Sequence, residues 1–314
     1  MADIGRKTLL AGLFSVLLFG GFLASYQIGE SPGFTGLILV GLAGLVISAI
    51  LFKRAHTPVR PSWIENPFLF SLVTFAVYIF SKYASFFLHE WGHSTAALLT
   101  GVTARPPLEI DYGHGWTFAG CHAIPDGVYP HLLATGRDAT VAVISMAGPM
   151  MNVFLAVLAL ALCTRKRVRE SLFAFFLLFW MALTNVAQAW SYIPLRSVLY
   201  QNGDFFEVEQ ALGISPWAVT AVGTVLIIAG FALVFLSIFP DLLDGLRLRF
   251  PALVGLFLLA WYTAFVYYGL TPLAFTLDSV TSPRIWFGVL DVAVGLVLAW
   301  RFWRTAGVHA DTTA

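Results

Sequence analysis

Residues 67–100 read PFLFSLVTFAVYIFSKYASFFLHEWGHSTAALLT, and this stretch decides how the rest of the chain is read. It is long and apolar enough to cross a hydrocarbon layer of ~30 Å, for which about 20 helical residues suffice. Yet its second half carries His89, Glu90 and His93 in the order H-E-x-x-H. Ionisable side chains at membrane depth are costly, and where they occur they mark function. Positions four apart on a helix differ by about 40° around the axis and one turn along it, so His89 and His93 present their imidazoles to one point as two metal ligands. Glu90, about 100° round from His89, can reach a water on such a metal without taking a coordination position, which suits a general base. The pattern predicts a zinc hydrolase built within a membrane.

The composition agrees. Of 314 residues 59% are hydrophobic and only 11% charged, outside the range of soluble domains. Apolar runs near 8–26, 34–52, 67–100, 139–163, 171–195, 217–239, 251–270 and 285–303 predict an all-α polytopic membrane protein of eight transmembrane helices. On that map Arg6, Lys7, Lys53, Arg54, Arg60, Arg165, Lys166, Arg167, Arg169, Arg247, Arg249, Arg301 and Arg304 share one side of the bilayer. Arg105, Arg137, Arg196 and Arg284 take the other. The positive-inside rule then places both termini in the cytoplasm, with the protein in the plasma membrane of a prokaryote. A formal net charge of +1 argues against a nucleic-acid partner. The first apolar run follows a short basic start but lacks a signal-peptide cleavage site, so it is expected to remain as a helix. Cys121 and Cys163 fall in different compartments on the map, which excludes a disulfide framework and a cysteine zinc site. No feature of the sequence sets an oligomeric state.

Three parts follow: two N-terminal helices (1–66), a metal-bearing core (67–240), and two C-terminal helices with a tail (241–314). Within the core, 104–138 is the longest non-helical stretch. Alternation of Leu108, Ile110 and Tyr112 before Gly113-His114-Gly115, and of Trp116 and Phe118 after it, predicts a short β-hairpin between the third and fourth spans. A second polar excursion, 196–216, contains Gln201-Asn202-Gly203-Asp204 and lies on the same face as the end of the third span. A catalytic zinc needs a third protein ligand and an open position. Asp204, Asp111, Asp126, His114, His122 and His131 are the candidates on that face. Asp204 is favoured, because Gly203 lets the backbone approach closely and the residue follows a helix that ends at Pro194.

Taken in order, these motifs resemble the site-2 protease family of intramembrane zinc metalloproteases, in its compact form without a PDZ domain. His89-Glu90-x-x-His93 followed by the small-residue stretch 96–101 (AALLTG) is similar to the family's zinc helix. Ala147-Gly148-Pro149-Met150-Met151-Asn152 is similar to its A-G-P-x-x-N motif, which packs the next helix against the zinc helix. Tyr192-Ile193-Pro194-Leu195 leading to Asn202-Gly203-Asp204 resembles its N-x-x-P and D-G motifs, in which the aspartate is the third ligand. The chain departs from that last pattern: Ser191 stands where asparagine is usual, the gap to Asp204 is longer, and glycine precedes the aspartate. The residue that polarises the substrate carbonyl or holds its oxyanion is therefore left open among Asn152, Asn185, Gln188 and Ser191. The resemblance covers roughly 67–240 and implies a site near the cytosolic face, whereas the charge map favours the outer face.

The expected function is hydrolysis of peptide bonds in or near the transmembrane segments of substrate proteins within the lipid bilayer, with one Zn2+ per chain, as in regulated intramembrane proteolysis. Two rivals stand beside it: a non-catalytic family-like membrane protein or metal transporter, and a zinc hydrolase of a non-peptide substrate. Lys82, three turns before His93 on nearly the same helical face, is expected to snorkel or to neutralise an acid. Asp241 and Asp244 are expected to form solvated pairs with Arg247 and Arg249 at a helix end.

Overall fold

The computed structural model describes residues 62–65, 67–103, 127–190, 192–193 and 203–247, together with 256, 260 and 263. Among the described residues every regular element is helical: α1 (Ser62–Glu65), α2 (Pro67–Leu99), α3 (Val128–Ala134), α4 (Asp138–Cys163), α5 (Lys166–Glu170), α6 (Leu172–Trp190), α7 (Asp204–Leu212), α8 (Pro216–Leu233) and α9 (Phe239–Leu246). Four stretches are long and apolar enough to cross a membrane: Leu72–Leu99, Asp138–Cys163, Leu172–Trp190 and Pro216–Leu246. The remaining four expected spans and the expected β-hairpin lie outside the described residues.

The zinc helix of the sequence reading, α2, ends in a glycine stop. Gly101 has φ +70°, its N–H bonds the Leu98 carbonyl at 3.1 Å, and the Val102 N–H bonds that of Ala97 at 2.9 Å. Only glycine adopts that left-handed position cheaply, and the two bonds satisfy carbonyls that the helix end leaves open. α3 stops in the same way at Gly136, and the next residue, Arg137, sends a guanidinium N–H to the Thr100 carbonyl at 3.1 Å. The start of α4 is thereby tied to the end of α2, and the two helices run antiparallel.

At the other end of α4, the guanidinium of Arg169 donates from Nε to the Cys163 carbonyl at 3.0 Å and pairs with Asp241 at 2.8 Å. Asp241 was expected to pair with the nearby Arg247 or Arg249 at a helix end. The helix instead runs on to Leu246, through position 240 where the core was expected to stop. Pro240 is accommodated by a π turn at Val234–Ile238. A proline withdraws one N–H from the ladder, and widening the preceding turn lets the helix continue.

α6 lies at the centre, packed against α2, α4, α8 and α9. Its rings carry much of that contact: Trp180 meets Tyr78 of α2 edge-on at 5.3 Å, and Phe179 stacks on Phe239 of α9 at 5.0 Å. In lipid such shape matching, rather than escape from water, holds helices together. Near the H-E-x-x-H residues the packing changes from large rings to bare backbone. A Cβ on Gly92 of α2 would come within 2.7 Å of the Ala147 carbonyl oxygen, so α2 and α4 touch main chain to main chain. Val143, Met150, Phe154 and Val157 of α4, and Trp217, Val222, Val225 and Leu226 of α8, remain on the outside. Lipid contact accounts for such apolar outward faces.

Candidate metal centre

His89 and His93 lie on α2 ten and six residues before its end, about 15 and 9 Å along the axis. Both are buried, as is Glu90 between them. Each imidazole is held through Nδ1. His93 Nδ1 meets the Ile144 carbonyl at 2.7 Å, and His89 Nδ1 meets Asn152 Oδ1 at 2.5 Å. Both acceptors belong to α4. With the Nδ1 positions committed, both Nε2 atoms turn toward a common point and lie 3.2 Å apart.

Asp204 brings a carboxylate to the same point from α7. Its Oδ2 lies 3.2 Å from His89 Nε2 and its Oδ1 3.4 Å from His93 Nε2. Gly203 precedes it with φ +87° and ψ −177°, a region essentially closed to other residues, where a side chain costs about 1–3 kcal/mol. Burial acts to raise the Asp204 carboxyl, but positive charge on the imidazoles of His93 and His89, when these are protonated in the absence of an ion, outweighs it and holds the group well below the usual carboxylate range. Glu207, one turn on, is pushed the other way by partial burial and by the charge of Asp204.

This donor set fits a cation. Ligands at 2.0–2.1 Å from zinc lie about 3.3–3.4 Å apart; the two Nε2 atoms are 3.2 Å apart, and the carboxylate turns a different oxygen to each, Oδ2 at 3.2 Å from His89 and Oδ1 at 3.4 Å from His93. Two imidazole lone pairs and a carboxylate are all acceptors, and acceptors at that spacing repel unless positive charge lies between them. Asp204 Oδ2 is buried and faces only the His89 imidazole nitrogen. His89, His93 and Asp204 are also a group that could hold an ion by reach alone.

Gly148 closes one side of the cluster. A Cβ there would lie 2.8 Å from His89 Nε2 and closer still to His93 Nε2, so the helix backbone forms the wall. Tyr192 covers another side, its ring 5.0 Å from that of His89 at a tilt of 31°.

Of the other candidates for third ligand, His131 lies exposed on α3 and takes no part in the cluster. Asp111, Asp126, His114 and His122 lie outside the described residues, as does Ser191. Asn152 and Asn185, considered as oxyanion groups, are fully buried and point into a hydrogen-bonded network behind His89. There the Asn152 amide nitrogen donates to Asn185 Oδ1 at 2.9 Å and to Ser85 Oγ at 3.1 Å. Gln188 joins through Oε1, which accepts from Ser85 Oγ at 2.8 Å. Lys82 is buried rather than snorkelling, only 7% exposed.

Ser85 and the Ile144 carbonyl were missed by the sequence reading. Ser81, Ser85, His89 and His93 recur every fourth residue on one face of α2, and that stripe was a usable signal for Ser85. The Ile144 carbonyl has none in its own side chain. Comparison of the chain with protein-family models, with curated proteins and with solved structures finds no match.

Proposed function

We propose that this protein is an intramembrane zinc metalloprotease of the site-2 protease type, hydrolysing peptide bonds in or near the transmembrane segments of other proteins. The observation that carries the reading is the convergence of His89 Nε2 and His93 Nε2, both on a membrane-length helix, with the Asp204 carboxylate at 3.2–3.4 Å. The order of the H-E-x-x-H, A-G-P-x-x-N and G-D segments along the chain supports it.

A zinc ion held by these three residues would supply Lewis-acid polarisation and bring the pKa of water down to about 7. The chain does the rest. Three protein ligands leave a fourth position open for water or a carbonyl oxygen. Glu90, on the same turn as His89 but rotated away from the ligand direction, accepts the water proton and returns it to the leaving amine. Asp204 sits 20% exposed at the start of α7, so the cluster opens toward that end of the bundle. A substrate helix must unwind to be cut, because its amides are otherwise locked in their own ladder. A site about 9–15 Å inside the span, a third to a half of a ~30 Å hydrocarbon layer, meets substrate within its membrane segment.

The basic segment 165–169 and Arg247 lie at the end of the bundle remote from the cluster, and by charge bias we assign that end to the cytoplasm and the cluster to the opposite face. Purified protein with a transmembrane peptide tests the activity. Cleavage should stop when zinc is removed by a strong chelator and return on adding one equivalent of zinc. Cleavage indifferent to chelation would overturn the reading, and metal flux across vesicles without cleavage would favour a transporter.

A further inference from the structure

The network behind His89 has a direction, and it starts at a backbone group. The Asn185 amide nitrogen donates to the Met181 carbonyl at 2.7 Å. That carbonyl can only accept, so the Asn185 side chain cannot be turned over without setting oxygen against oxygen. Its Oδ1 must therefore face the centre of the network, where Asn152 lies 2.9 Å away and Ser85 Oγ 2.8 Å. An oxygen there demands a donor, which holds the Asn152 amide nitrogen toward Asn185 at 2.9 Å, the shortest of its contacts on a side where the Ser85 main-chain carbonyl and Gln188 Oε1 lie at 3.4 Å, and its Oδ1 toward His89. Facing an oxygen in turn, His89 must carry its proton on Nδ1, and the lone pair is left on Nε2, pointing at Asp204.

We propose that Asn185 of α6 is a positioning residue for the metal centre: through Asn152 it sets which nitrogen of His89 is free to bind. Asn185 touches neither the cluster nor His89, and its influence passes entirely through the orientation of one amide. His93 has no such dependence, since its Nδ1 partner is the Ile144 main-chain carbonyl. The two imidazoles are thus locked by different means, one by side chains on two other helices and one by backbone. Metal-bound histidines generally lean on such partners, and losing one weakens binding about 10–100-fold. The proposal rests on the metal reading above, but its first readout needs no metal.

The test uses full-length protein labelled with 15N-histidine, read by NMR for the Nδ1–H and Nε2–H tautomers, before and after zinc loading. Wild type should keep a proton on Nδ1 of both histidines. Asn152→Leu and Asn185→Leu should each release His89 to a tautomer mixture while His93 stays fixed, and the unchanged His93 signal reports that the bundle is folded. Zinc affinity should fall about 10–100-fold in Asn152→Leu. It should fall by no more than that in Asn185→Leu, and the double variant should be no weaker than Asn152→Leu alone. Asn152→Asp supplies the discriminating background: either carboxylate oxygen can accept from His89, so adding Asn185→Leu should no longer disturb the tautomer. A His89 tautomer unmoved by Asn152→Leu or Asn185→Leu, multiplicative losses in the double variant, or a full Asn185→Leu effect in the Asn152→Asp background would each overturn the proposal. Wild type that binds no zinc yet shows the His89 shifts would sink the metal reading and leave the relay standing.

Discussion

Glu90→Gln protein is expected to keep its zinc and to lose peptide hydrolysis by about 10²–10⁴-fold, the range that a general base contributes. The substitution preserves size and hydrogen-bonding shape but removes the only function Glu90 is assigned, taking up a proton. The three metal-binding groups are elsewhere, on His89, His93 and Asp204, so metal content should stay at the wild-type level. The two measurements together are informative. Loss of zinc along with activity would make Glu90 a ligand rather than a base. Full activity in Glu90→Gln would remove the base from the mechanism. Under the proposed function the same variant, binding substrate without turning it over, is suited to capturing substrate proteins.

Gly148→Ala should be nearly as damaging, by a different route. Every ligand is intact in this variant, and the added group is a single methyl. That methyl would stand 2.8 Å from His89 Nε2 and nearer to His93 Nε2, in the space the ion and its ligands share. Relief requires either that α4 move away from α2 or that both imidazoles swing out. The first breaks the main-chain contact at Gly92 and Ala147, and the second breaks the bonds to Asn152 and the Ile144 carbonyl. Zinc affinity should therefore drop by at least about 100-fold, the upper range for loss of a ligand's support. Helix content by circular dichroism should be unchanged. Normal zinc binding in Gly148→Ala would mean that the two helices are held less closely than the geometry described here.

Much of this centre was legible before any coordinates because its parts are local. The i, i+4 spacing of His89 and His93 is a property of one helix, and Gly203 before Asp204 is read as letting the backbone approach closely; its φ of +87° came only with the structure. Long apolar runs likewise reported the membrane helices, since the hydrocarbon layer fixes their length. What escaped was non-local or written in the main chain. Asn152, Asn185 and Gln188 are candidate oxyanion groups by sequence and Ser85 lies on the histidine stripe, but these four come from three helices and meet only after packing, so their shared network was not legible in the sequence. The Ile144 carbonyl has no sequence identity to read. Pro240 misled in the opposite sense: a proline is ordinarily a helix boundary, but a π turn just before it carries the helix on to Leu246 and brings Asp241 to Arg169.

X-ray absorption at the zinc edge of the purified protein tests the central claim most directly. The account predicts one zinc per chain with nitrogen and oxygen neighbours only, at about 2.0–2.1 Å, a multiple-scattering signature of two imidazoles, and a change in that shell together with metal loss in Asp204→Ala. Absence of stoichiometric metal, sulfur in the first shell, or a spectrum and metal content that Asp204→Ala leaves untouched would contradict it.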